Sequence, residues 1–269
     1  MPSGDVTPSP ELDGESERAQ NSVRVIARVA DILRALEGEP DGLSLAQIAE
    51  RVGMARSTVH RLAVGLADEG FVIAASPNGR VRLGPTLARL GAASRREIQE
   101  ELRPFMRRLA DDVEETVDVA VLDGPQVRFI DHLPGSHRLR AVSSIGAAFP
   151  LHCSANGKAL LAALPREQAE RLLPRRLEAL TPKTITSRAR LWEELDTVSA
   201  SGVAFDREEH TEGISAVGTA VRDAATVIAA ITVVAPTQRF DGNDKRFSAR
   251  LLDARQEIER FLGARVDGR

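Results

Sequence analysis

The sequence predicts an α+β protein, with an N-terminal winged helix-turn-helix, a connecting helix and a C-terminal domain on an antiparallel sheet. Three observations carry this expectation. Residues 44–66 hold two helical periodicities separated by a glycine turn. A short hairpin pattern follows at 71–83. Beyond residue 115, strand-like and helix-like segments mix with hairpin-length connections, which favours an antiparallel sheet. The chain has 269 residues, enough for about two domains.

Residues 1–20 carry five acidic groups, one arginine, three prolines and almost no large apolar residue, so a disordered acidic tail is expected there. From Val23 the pattern changes. Val25, Ile26, Val29, Ile32, Leu33 and Leu36 recur at three- and four-residue steps, an amphipathic helix that Gly38, Pro40 and Gly42 end. Ser44 can cap a second helix by accepting from its free N–H groups. Ile48, Val52, Met54, Val59 and Leu62 stand where two steeply crossed helices need buried apolar groups. Ala49 is small at the crossing, and Gly53 sits at the turn, where a positive φ is needed. A third helix runs from about Arg56 to Glu69 and is closed by Gly70. Phe71–Ile73 and Val81–Leu83 flank a turn at Ser76-Pro77-Asn78-Gly79 and complete a winged helix over residues 21–84.

A further helix over 85–99 is expected to link this unit to a second domain spanning 100–265. There a helix is expected after Pro104 to about Glu115, then strands at 117–122, 126–132 and 138–144. Helices follow near 154–163, 166–173 and 188–201, strands at 214–221 and 226–235, and a charged helix at about 242–262.

In a helix-turn-helix the second helix enters the major groove of double-stranded operator DNA. Its outward positions here are Arg56, Ser57, His60 and Arg61, with Thr58 and the capping Ser44 beside them. Arginine can pair with guanine through two hydrogen bonds, and hydroxyls reach base edges or phosphate. Arg80 and Arg82 on the wing are placed for phosphate or minor groove. The charge distribution agrees in sign: residues 21–95 carry +3 while the whole chain carries −3. The competing reading of the same residues is a three-helix bundle with solvated arginines.

A second set of motifs lies downstream. Pro150-Leu151-His152-Cys153-Ser154-Ala155-Asn156-Gly157-Lys158-Ala159-Leu160-Leu161-Ala162 is followed by Leu180-Thr181 and Thr184-Ile185-Thr186. Then come Gly202-Val203-Ala204-Phe205-Asp206-Arg207-Glu208-Glu209-His210, Gly213-Ile214, Val221-Arg222-Asp223 and Ala229-Ala230-Ile231-Thr232-Val233. In order and spacing, over about residues 22–262, this resembles the IclR family of bacterial transcriptional regulators. The resemblance implies a GAF-like effector-binding domain and a homo-oligomer, either a dimer or a dimer of dimers. It also implies a small-molecule effector, an organic acid or aromatic metabolite. Carried over by position, the effector site has walls at Ala155, Asn156 and Gly157, at Asp206 and onward to Ala216, and at Thr232 and Val234. Some relatives place polar side chains where Ala216 and Val234 stand here, so a larger or more apolar effector is favoured over a very small oxoacid.

Enzyme chemistry finds little purchase. His152, Cys153 and Ser154 are adjacent, but neighbours on a strand point to opposite faces. No G-x-S-x-G elbow is present, and Ser154 and Lys158 are four apart rather than three. Glu208-Glu209-His210 lacks the second histidine of a zinc-protease helix, and His132 and His137 read as surface residues. Lys158 lacks the glycine frame of a phosphate loop. No catalytic residue, metal or cofactor is therefore expected. One cysteine excludes an intramolecular disulfide, no apolar run is long enough to span a membrane, and no signal peptide is seen, which together fit a cytoplasmic protein. The absence of tyrosine disfavours a stacking platform for single strands. The runner-up function is a catalytic or sensory GAF-like protein with an inert helical appendage.

Overall fold

The computed structural model of the chain describes residues 11–73, 79–224 and 226–267. The chain divides into two compact units, Met1–Ala93 and Ser94–Arg269.

The first unit opens with α1 (Glu11–Ala35). Residues 11–20, expected in a disordered tail, are helical instead. Glu, Leu, Ala, Gln and Arg are good helix formers, no proline occurs between Pro10 and Pro40, and acidic groups at a helix start suit its dipole. Residues 1–10 lie outside the described residues. Next come β1 (Leu43–Ser44), α2 (Leu45–Val52) and α3 (Arg56–Asp68). Ser44 caps α2 reciprocally: its hydroxyl accepts from Gln47 N–H, and the Gln47 side chain accepts from Ser44 N–H. Gly53, at φ 65°, closes α2, and the N–H groups of Gly53 and Met54 both reach Ala49 O. α3 ends in a Schellman arrangement, with Gly70 N–H donating to Ala67 O and Phe71 N–H to Leu66 O. β2 (Val72–Ile73) and β3 (Arg80–Leu83) form the wing, in register Val72↔Leu83, and β1 adds to the other edge of β3. Most of the expected wing turn, Ser76-Pro77-Asn78, lies outside the described residues. Ile32, Leu36, Ile48, Val59, Ala63, Leu66, Val72 and Val81 form the core under these elements.

α4 (Pro85–Val113) is one helix where two were expected. Pro104 does not break it. The residue is exposed, so the carbonyl that its ring leaves without a donor can be hydrated.

The second unit is built on a six-stranded antiparallel sheet in the order β6-β5-β4-β9-β8-β7. Its strands are β4 (Thr116–Asp123), β5 (Gln126–Leu133), β6 (Ala148–Pro150), β7 (Ala204–Arg207), β8 (Ile214–Asp223) and β9 (Thr226–Pro236). Between β6 and β7 run α5 (Ala155–Ala163), α6 (Arg166–Leu172) and α7 (Arg188–Ser201). α8 (Thr237–Phe240) and α9 (Asp244–Asp267) follow β9. Val117, Val119, Val217, Ile231 and Val233 pack beneath the C-terminal part of α4 and α9. Ala120, Phe129 and Ala230 pack with Leu151, Leu160, Leu161, Leu191 and Leu195 on the α5 and α7 side. The sheet is therefore covered on both faces.

The strand expected at 138–144 is irregular, and the meander instead continues at β6. Leu139 and Val142 are exposed. Carbonyls of the segment are served by side chains: Arg239 donates to Leu139 O, and Thr116 Oγ1 to Ala141 O. β-branched content alone does not make a strand when side chains from elsewhere take the backbone partners.

Candidate functional sites

In the first unit, α3 has two opposed faces. Val59, Ala63 and Leu66 point into the core, and Arg56, Ser57, His60 and Arg61 are exposed. Thr58 lies half-buried between the faces. From Arg56 to Ala67 the helix carries no acidic residue. Neither Arg56 nor Arg61 makes an ion pair or hydrogen bond among the described residues. Both guanidinium groups, on the exposed face of α3, thus present donors to a polyanion.

The other candidates are more committed. Ser44 is half-buried and its hydroxyl serves the cap of α2. Arg80 is half-buried and donates through Nε to Gly42 O, 3.0 Å away, which ties the wing to the loop before α2. Arg82, one position past Val81 on β3, is exposed.

In the second unit the candidate effector residues fall on the α5-facing side of the sheet. β-register sets Asp206 opposite Ala216, and Ala216 opposite Val234. Two positions along, Thr232 stands between Gly218 and Asp118. Gly218 lets α5 come close: a Cβ there would lie 3.0 Å from Ala155 C and 3.1 Å from Thr232 Oγ1. Gly157 is likewise a packing residue, since a Cβ on it would sit 2.3 Å from Leu151 O. Asn156 and Thr232 are buried, and among the described residues Asn156 Nδ2 and Thr232 Oγ1 have no hydrogen-bond partner. Buried polar atoms without partners cost stability, which fits a surface shaped for a polar guest. Asp206 is partly engaged, its Oδ1 accepting from Glu209 N–H at 2.7 Å and from His210 N–H at 3.3 Å. Burial pushes its carboxyl up to about 7.

Two features were missed in the sequence. Asp118 is buried on the same face, with Ser143 donating to its Oδ2 and with Oδ1 unpartnered. His132, read as a surface residue, is half-buried opposite Asp118, and its Nδ1 is unpartnered. The second missed feature is an ion cluster. Lys158 is fully buried, with Nζ 2.6 Å from Glu209 Oε1 and 3.1 Å from Glu194 Oε1. Thr181 Oγ1 and Thr184 Oγ1 donate to the carbonyls of Glu208 and Glu209, so the threonine motif clamps the same turn.

These placements bear on catalysis. Burial first, then Asp206 and Glu209, pushes the Cys153 thiol up to about 12, far from a thiolate at neutral pH. Ser154 caps α5 by accepting from Gly157 N–H and donates to Pro150 O. His152 Nε2 lies 2.9 Å from Glu178 O, and His210 stacks on Phe149 with ring centroids 3.7 Å apart. Among the described residues, no three His, Cys, Asp or Glu side chains are placed to hold a metal ion. No helix among them is long and apolar enough to cross a membrane.

Comparison with known proteins points the same way at both ends of the chain. Residues 25–73 match the family model described as the IclR helix-turn-helix domain. Residues 90–260 match the model described as bacterial transcriptional regulator IclR C-terminal. An HTH-type transcriptional regulator of Mycobacterium tuberculosis is 45% identical, covering 94% of this chain and 98% of its own length. The HTH-type transcriptional regulator TtgV of Pseudomonas putida is 38% identical over 90% of this chain and 92% of its own. Among solved structures, an IclR homologue from Microbacterium hydrocarbonoxydans complexed with 4-hydroxybenzoate superposes with a TM-score of 0.59. It is 25% identical and covers 89% of this chain and 99% of its own.

Proposed function

This chain belongs to the IclR family of bacterial transcriptional regulators, and from that premise we propose how its residues divide the work. It is a DNA-binding regulator and not an enzyme. α3 enters the major groove of double-stranded operator DNA, where Arg56 and Arg61 read base edges and Ser57, Thr58 and His60 complete the contact. Arg82 on the wing meets phosphate, while Ser44 and Arg80 hold the motif in shape and reach the backbone from its margin. The observation that carries this reading is the outer face of α3, free of acidic residues from Arg56 to Ala67, with two arginines that have no partner among the described residues.

The α5-facing side of the sheet in the second unit, with Ala155, Asn156, Gly157, Asp206, Ala216, Thr232 and Val234, receives a small-molecule effector. The 4-hydroxybenzoate bound by the Microbacterium homologue supports an organic acid or aromatic metabolite as the class. The protein acts in the cytoplasm as a homo-oligomer. The 85–99 stretch of α4 couples the two units, so that the effector biases operator binding through its differential affinity for two states.

The test is the double variant Arg56→Ala, Arg61→Ala in the full chain. Specific binding to a fragment of the promoter region beside the gene is expected to be abolished, with Tm unchanged. A variant that footprints like the parent protein would show that α3 does not read the operator.

A further inference from the structure

The second unit holds a polar group that its assigned site residues do not account for. Asp118 lies in the middle of β4, buried, with no cation beside it. Ser143, from the irregular segment after β5, fixes Oδ2, and Oδ1 has no partner. The directly opposed positions on the neighbouring strands are His132 and Thr232. Opposed side chains on one face of an antiparallel pair stand about 5 Å apart at Cβ. Thr232 Oγ1 and His132 Nδ1 are unpartnered too, so three buried polar atoms on three adjacent strands share one row. A native interior rarely leaves so many polar atoms unmatched in one place unless something from outside the chain matches them.

The charge in this row decides what that something is. On the α5-facing side the buried acids are Asp118, Asp206 and Glu209, and the one buried cation among the described residues is Lys158. Lys158 is spent on Glu209 and Glu194. Asp131, the other acid acting on Asp118, is paired with Arg103 and adds to the negative field. A carboxylate guest would therefore be set beside three acidic groups, with no free lysine or arginine among the described buried residues to balance it. A hydrogen-bond donor would instead meet the ionised form of Asp118 and would favour that form over the protonated one. Beside the row the sheet is small and apolar at Ala216, with Val234 beyond, while at Gly218 the start of α5 already closes on it.

We propose that Asp118 is the specificity-determining residue of the effector site: its Oδ1 accepts the O–H of an uncharged, hydroxyl-bearing effector with an apolar ring, and Thr232 bonds the same hydroxyl. This rests on the reading of the α5-facing side of the sheet as the effector site. It narrows that reading from organic acids and aromatics in general to alcohols and phenols.

The experiment is thermal shift and calorimetry on the full chain with ring-matched probes: phenol, benzyl alcohol and cyclohexanol against benzoate and cyclohexanecarboxylate. The hydroxyl compounds are expected to raise Tm, and the carboxylates to leave it unchanged. Asp118→Asn should weaken the hydroxyl compounds about tenfold and bring benzoate binding up. Thr232→Val, which keeps the side-chain shape, should weaken the same compounds, and it serves as the probe if Asp118→Asn does not fold. Carboxylates that bind the parent protein, with Asp118→Asn without effect, would overturn the role of Asp118 and leave the effector site in place. Silence from all five probes would also overturn the proposal, because it commits to this class. A wide metabolite screen on the same protein then judges the effector site separately.

Discussion

A carboxylate taken out of water with no cation beside it prefers to hold its proton, and Asp118 is in that position. Burial first, against a smaller opposing effect from Ser143, raises its carboxyl from 3.8 to about 7. A group whose folded pKa is raised contributes stability that is fully present below the unfolded pKa and is lost as pH rises through the folded one. The window for Asp118 is therefore about pH 4 to 7, and Asp206 titrates over the same range. Asp118→Asn removes one of these two contributions. The Tm of the variant, relative to the parent protein, is expected to rise steadily from pH 4 to 7 and level off above that, by the equivalent of a few kcal/mol at most. Parallel Tm curves for the two proteins over that range would mean that Asp118 is ionised at neutral pH. The residue was hidden in the sequence for a physical reason. Alternation in β4 sets Thr116, Asp118 and Ala120 on one face, which in an isolated strand reads as the wet face. Only tertiary packing buries it, with α5 on that side of the sheet and Ser143 of the irregular segment bonded to Asp118. The Lys158–Glu209 pair was hidden differently, because its partners are 51 residues apart and no local pattern joins them.

Elements show where local chemistry suffices and where it fails. α2, α3 and their turn follow from sequence almost position by position, because three of the four helix boundaries have their own device: the Ser44–Gln47 cap, Gly53 at positive φ, and Gly70 after α3. The residues chosen for the outer face of α3 also emerge exposed, since helical periodicity alone assigns faces once the core stripe is known. Segment 138–144 and Pro104 went the other way. In the first, side chains from β4 and α8 take carbonyls that a strand would have offered. In the second, a proline on the exposed side of α4 costs too little to end a helix held by Leu102, Met106 and Leu109 in the core. The capping reading makes a prediction at this scale. Ser44→Ala leaves the Gln47 N–H at the start of α2 without its acceptor and should lower the stability of the first unit by about 1 kcal/mol. Operator affinity should fall modestly with it, in proportion to the population of folded motif. A large loss of affinity with no loss of stability would instead make Ser44 a direct DNA contact. Urea unfolding and binding titration on the same variant distinguish the two.

For the molecule as a whole, electrostatics is the quantity that separates a regulator from the same fold without a DNA partner. The chain is net acidic at −3, so attraction to DNA has to come from a local surface rather than from overall charge. On α3 and the wing the exposed arginines are Arg56, Arg61 and Arg82. In a dimer these make about six cation–phosphate or cation–base contacts. Counterion release then gives a slope of log K against log salt near −5, or about a thousandfold loss of affinity between 50 and 200 mM salt. The two kinds of arginine should separate in a titration. Arg82→Ala is expected to reduce the slope by about 2 per dimer and to weaken operator and random DNA alike. Arg61→Ala should chiefly lower the ratio of operator to random binding, because a base-edge contact carries sequence information and a phosphate contact does not. A parent protein whose operator binding is indifferent to salt would fit neither role. An Arg82→Ala slope equal to that of the parent protein would place the wing away from the phosphates and leave α3 as the whole of the interface.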